Sequence, residues 1–135
     1  MNAKLKPRRP SGMPVAQRAR HELAEMADKY GLEGEPDSRK DMQYSHLRFW
    51  GLKHLKLFNK SVVQTGRVYI RNRLQEVDAF ANLDPSKSTI GVVFHQRDTD
   101  PHNAILKAED FFRIVALAEE AMALRALNHK RKERR

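Results

Sequence analysis

The chain contains no cysteine, which excludes disulfide bridges and thiolate metal ligands and fits a reducing compartment, by default the cytoplasm. Long hydrophobic runs are missing too. No stretch approaches the roughly 20 apolar residues of a spanning helix, and no apolar signal core follows the basic residues at the start. A protein neither secreted nor membrane-spanning is expected. The sequence also lacks Gly-x-Ser-x-Gly, Ser-x-x-Lys and glycine-rich phosphate loops, which argues against covalent catalysis and nucleotide hydrolysis. Histidines stand at His21, His46, His54, His95, His102 and His129, but none forms a His-x3-His pair or lies in sequence beside a carboxylate cluster. No metal and no cofactor are expected from them.

What is abundant is positive charge. The 135 residues carry a formal net charge of +9, unevenly spread. Lys4, Lys6, Arg8 and Arg9 mark one end, and Lys130, Arg131, Lys132, Arg134 and Arg135 the other. Residues 39–73 hold nine Lys/Arg against Asp41 alone, whereas 10–38 and 74–127 are net acidic. Clustered cations create a local potential that attracts polyanions, most often nucleic acid. DNA is favoured over RNA as the partner, with no membrane involved.

The length suits one domain of about 100–150 residues. Residues 1–14, with Pro7, Pro10, Pro14 and Ser11-Gly12 and no periodicity, read as a flexible basic arm. Residues 15–128 form a single α+β domain and 129–135 a basic tail. Val15, Ala19, Leu23, Met26 and Tyr30 recur at helical spacing over 15–30, with Gly31 as the stop signal. After a loop, with Asp37 or Ser38 as cap, a second helix is predicted over 40–59. Tyr44, Leu47, Leu55 and Phe58 form its apolar stripe and Lys53, Lys56 and Lys60 share another face, with a kink or close contact at Gly51.

Residues 61–74 then read as β, from Val62, Val63, Val68, Tyr69 and Ile70 with a break at Thr65-Gly66. Residues 75–83 read as a short helix or irregular segment, 89–96 as a buried strand, and 103–107 as its hairpin partner. A long helix from Glu109 to about Asn128 buries Phe111, Ile114, Val115, Ala118 and Met122. The expected fold is therefore α+β: a small mixed or antiparallel sheet of three to four strands, packed by an N-terminal helix pair and a long C-terminal helix. That last helix suits a homodimer or a protein partner as well as a core.

Alternation over 67–73 places Arg67, Tyr69, Arg71 and Arg73 on one strand face, opposite Val68 and Ile70. Arginine grips phosphates bidentately and an exposed tyrosine stacks on an unpaired base. With Lys53, Lys56, Lys60 and the turn residue Arg97, these are the candidate nucleic-acid contacts. The alternative is a solvated sheet face paired with Glu76 or Asp78.

The run Ile90–Arg97, the following Ala104–Ala108 and the acidic-aromatic start Glu109–Val115 resemble the C-terminal half of small phage-encoded Holliday-junction-resolvase-like nucleases of the PD-(D/E)xK class. The helix with Arg18, Arg20, His21, Glu22, Leu23 and Glu25 is similar to that class's opening helix, which carries a metal-assisting glutamate. The resemblance implies a nuclease-like fold and magnesium-dependent cleavage by an aspartate and a Glu-x-Lys pair on a central strand. Residues 68–73, set against that strand, place Tyr69 and Arg71 where the acid and lysine would stand. Glu22 or Glu25 with Asp78 and Glu76 are the remaining ligand candidates. Three readings follow: a nucleic-acid-binding protein without catalysis, with no catalytic residues and no cofactor; a magnesium-dependent junction endonuclease; or a phage factor that docks on a host protein complex.

Overall fold

The computed structural model describes residues 15–37, 46–63 and 67–134, the side chains of Arg67 and Val68 excepted. The expected arm 1–14, the start of the predicted second helix and the Thr65-Gly66 break lie outside the described residues. The chain divides into two compact units, Met1–Ile105 and Leu106–Arg135.

The first unit begins with α1 (Val15–Asp28), followed by β1 (Gly34–Pro36), β2 (Leu47–Phe49), β3 (Lys56–Val63), α2 (Arg67–Ala81), β4 (Thr89–Gln96) and β5 (Asn103–Ile105). Helix α1 runs as its periodicity predicts. Ala19 and Leu23 are buried, whereas Met26 and Tyr30 at the end of the expected stripe are exposed. Backbone N–H groups of Tyr30, Gly31 and Leu32 bond back to the last helical carbonyls.

β1 and β2 pair antiparallel. The other strands form a three-stranded sheet in the order β3-β4-β5, with β3 parallel and β5 antiparallel to β4. The parallel pair requires a crossover, and α2 supplies it. Side chains alternate across this sheet. Val62 and Val93 face α2, packing with Val77 and with Ile70 and Leu74, and Phe58 meets the Phe80 ring at 4.1 Å. On the opposite face Phe94 packs with Leu23, Ala24 and Leu47. The sheet of the first unit is thus sandwiched between its two helices. At Gly91 a Cβ would stand 2.7 Å from the Val77 backbone, so this close approach of α2 to β4 requires glycine.

The α+β class and the long terminal helix are as expected, but the middle of the chain is not. From Leu47 to Phe58 the second predicted helix is replaced by β2, a loop and the start of β3. Lys53 and Lys56 are exposed there while Lys60 is buried, so the three share no helical face. Asn59, Lys60 and Ser61 interrupt the apolar pattern of β3, and the spacing of Leu47, Leu55 and Phe58 imitates a helix. The close contact expected at Gly51 is present, though in a loop: a Cβ there would collide with the Gly31 carbonyl and stand 2.9 Å from Leu32 Cα.

The predicted strand 61–74 also divides. β3 ends at Val63 and α2 begins at Arg67, absorbing the short helix expected over 75–83. The β-branched residues at 68 and 70 suggested a strand, but Ile70, Leu74, Val77 and Ala81 form a 4-3-4 apolar ridge, and packing of that ridge overrides intrinsic propensity.

The second unit is α3 (Ala108–Glu133), which extends further than predicted and carries Lys130, Arg131 and Lys132 in its last turn. Phe111, Val115 and Met122, expected to be buried, are exposed. Buried Asp110 accepts a 3.0 Å hydrogen bond from Arg113. Among the described residues no helix is long and apolar enough to cross a membrane.

Candidate functional site

At the edge of β3 away from β4, the Asn59 side chain ties β2 alongside. Asn59, fully buried, accepts a hydrogen bond from Leu47 N at 3.0 Å through Oδ1 and donates from Nδ2 to Leu47 O at 3.1 Å. The amide of Asn59 thereby imitates a strand partner. His46 N donates to Asn59 O at 2.9 Å, which fixes the residue before β2 against the sheet edge.

The consequence falls on the His46 ring. Ser61 N donates to His46 Nδ1 at 2.8 Å, so that nitrogen presents its lone pair and the proton of the neutral ring resides on Nε2. Burial pushes His46 from its ordinary 6.5 down to about 4, and the nearby positive charges of Arg20, Lys60 and Arg73 push the same way, with Asp37 opposing. At neutral pH the ring is therefore an uncharged N–H donor amid cations drawn from α1, β3 and α2.

Those cations are held differently. Lys60, 8% exposed, donates from Nζ to Glu76 Oε1 at 3.0 Å. Arg73 reaches the same oxygen at 2.8 Å and lies 4.5 Å from the ring centroid of Tyr69. One carboxylate is thus shared by two cations, one turn apart from Arg73 on the same helix. The Nε–H groups of Arg20 and Arg73 are buried with no hydrogen-bond acceptor among the described residues, and Ser61 Oγ is likewise without a partner. An unmet buried donor costs about 1–3 kcal/mol.

A second feature has the opposite character. A cleft of about 660 Å³ is lined by Arg18, Glu22, Gln96, Asp98, Asp100 and His102 among others. Glu22 accepts from Arg18 at 2.6 Å and meets His102 Nε2 at 2.8 Å. Burial raises the Glu22 carboxyl, but the hydrogen bonds and charges of His102 and Arg18 outweigh it and hold the group below the usual carboxylate range. With Asp98 and Asp100 added, this cleft repels phosphate.

The sequence-predicted contacts are scattered by this fold. Because 67–73 is helical, Arg67 and Arg71 lie on one face of α2, and Tyr69 and Arg73 on another, one turn apart; the single face of four does not exist. Tyr69 and Arg71 are exposed, Arg97 lies exposed beside Asp98, and Lys53 and Lys56 are exposed on the β2–β3 side. Of the predicted set, the structure brings together Lys60, Arg73 and Tyr69. Arg20 and His46 are not among the contacts expected from the sequence. A further aromatic, Trp50, is 54% exposed, with Arg48 4.5 Å from its ring centroid and its Nε1 bonded to Glu35.

The segment set against the Glu-x-Lys strand is helix, and the strand preceding it, β3, reads KLFNKSVV, without an acid. Glu22 and Glu76 are engaged in separate ion-pair networks, and no group of three or more His, Asp or Glu among the described residues is placed to hold a metal ion. Comparisons of the chain with protein-family models, with curated proteins and with solved structures found no match.

Proposed function

We propose that the protein binds nucleic acid, DNA in preference to RNA, through its phosphate backbone at the β2–β3 edge, and does not cleave it. The observation that carries this reading is the gathering of cations from two elements on one carboxylate, with Lys60 Nζ 3.0 Å and Arg73 2.8 Å from Glu76 Oε1, the charge of Arg20 adding to theirs at the neutral His46. Guanidinium forks grip phosphate oxygens in pairs, and a phosphate would compete with the Glu76 carboxylate for Lys60 and Arg73. Exposed Lys53, Lys56 and Arg71 add to the attractive field, and Tyr69 offers a stacking surface beside Arg73.

The test is fluorescence anisotropy on single-stranded DNA, duplex, four-way junction and RNA over a salt series with magnesium present, the products then being run on a gel. Binding should weaken steeply with salt. Arg20→Ala and Arg73→Ala should each lower affinity roughly tenfold and flatten the log–log salt slope by about one unit, whatever the base sequence. Trp50 is the single tryptophan, so its emission gives an independent titration signal. Wild-type affinity and slope in both variants would remove the β2–β3 edge from the interface. Magnesium-dependent products would establish the endonuclease instead.

A further inference from the structure

Helix α3 carries an apolar surface that its own unit leaves in solvent. Leu117 is 59% and Leu124 56% exposed, and Ala121 between them is exposed as well. Exposed apolar area forgoes about 25 cal/mol per Å² of burial, and contiguous exposure of this kind marks an interaction surface. The spacing specifies its form. Ile114, Leu117, Ala121, Leu124 and Asn128 follow one another at alternating intervals of three and four residues, the a and d positions of a heptad, with leucine at both d positions.

The flanking charges identify the occupant. In this heptad Glu120 takes a g position and Arg125 the next e position. When two copies pair in parallel, a g residue faces the e residue five places on in its partner, so Glu120 meets the partner's Arg125, twice over. In the antiparallel register that sets Leu117 against the partner's Ala121 the two Glu120 side chains meet instead, and in the one that sets Ala121 against the partner's Leu124 Glu120 faces Leu127, so neither keeps the Glu120–Arg125 pairing. Asn128 at an a position matches its own copy across a parallel seam, a polar pairing that fixes register and strand number.

We infer that the protein forms a parallel homodimer through α3, with Ile114, Leu117, Ala121 and Leu124 as its seam and the Glu120–Arg125 pairs setting its orientation. The dimer places two copies of the basic Lys130–Arg134 stretch side by side. Their repulsion opposes assembly and is screened by salt within a Debye length of roughly 6–10 Å at 0.1–0.3 M. This inference does not depend on the nucleic-acid reading, since it is tested on the protein alone.

Sedimentation equilibrium of the full chain at moderate salt should give a dimer, and Leu117→Asp with Leu124→Asp a monomer. Glu120→Arg should weaken the dimer roughly tenfold, and Glu120→Arg combined with Arg125→Glu should restore it. The cysteine-free background provides an orientation test: Asn128→Cys should crosslink to its own copy on oxidation, which only the parallel arrangement allows. A wild-type monomer at about 100 μM, a dimer indifferent to both the leucine and the Glu120 substitutions, or failure of Asn128→Cys to crosslink would overturn the proposal.

Discussion

Replacing Asn59 by alanine is expected to destabilise the first unit by about 3 kcal/mol, because two buried hydrogen bonds to the Leu47 backbone are lost at once and groups at a water-free edge are left to be satisfied elsewhere. Urea unfolding should show a lower midpoint with an unchanged slope, the signature of lost stability without a change in the surface exposed. Asn59→Asp should come close to the same loss above its carboxyl pKa, since a carboxylate can accept from Leu47 N but has no proton to give Leu47 O. Binding should fall with it, because the clamp also positions His46. A loss below about 1 kcal/mol would mean that β2 is held by its pairing with β1 and by Leu47 packing instead.

Stability is expected to depend steeply on pH through His46. Its ring is held at about 4 in the folded chain against an ordinary 6.5. Above 6.5 both states are neutral and stability is flat. As pH falls below 6.5 the unfolded chain takes up a proton that the folded chain refuses until about 4, so folding stability declines across that window, by up to roughly 3 kcal/mol in total. His46→Asn keeps an acceptor for Ser61 N–H and removes the titrating group. Chemical denaturation at pH 7.5 and at pH 4.5 should therefore show a large difference in the wild type and a much smaller one in the variant. Equal pH dependence in the two would mean that other groups govern acid unfolding.

The parts of the fold that could be read in advance are those where burial and periodicity agree. α1, β4 with its hairpin partner β5, and the start of α3 all place apolar residues at the spacing of the element they form. The middle of the chain departs from its periodicity because its burial is partly polar. β3 hides Asn59 and Lys60, whose partners, Leu47 and Glu76, are fixed by tertiary contact rather than by local spacing. Residue chemistry points to Lys60, Tyr69 and Arg73, and the structure brings these three together around Glu76 and the Tyr69 ring in a geometry other than a single strand face. Arg20 and His46 carried no local signal: one is a cation on an amphipathic helix, and the other acquires its role from Ser61, fifteen residues away. On α3 the apolar spacing reads as core, whereas Phe111, Val115 and Met122 are exposed.

The most direct test of the proposed phosphate site at the β2–β3 edge is the affinity of Glu76→Gln for duplex DNA, measured beside Glu119→Gln, which makes the same change in net charge on exposed α3. Removing the carboxylate that occupies Lys60 and Arg73 frees both cations for phosphate, and affinity should rise about three- to tenfold beyond that of the Glu119→Gln control. Equal affinity in the two variants, or weaker binding by Glu76→Gln with the fold intact, would contradict a phosphate site at this edge.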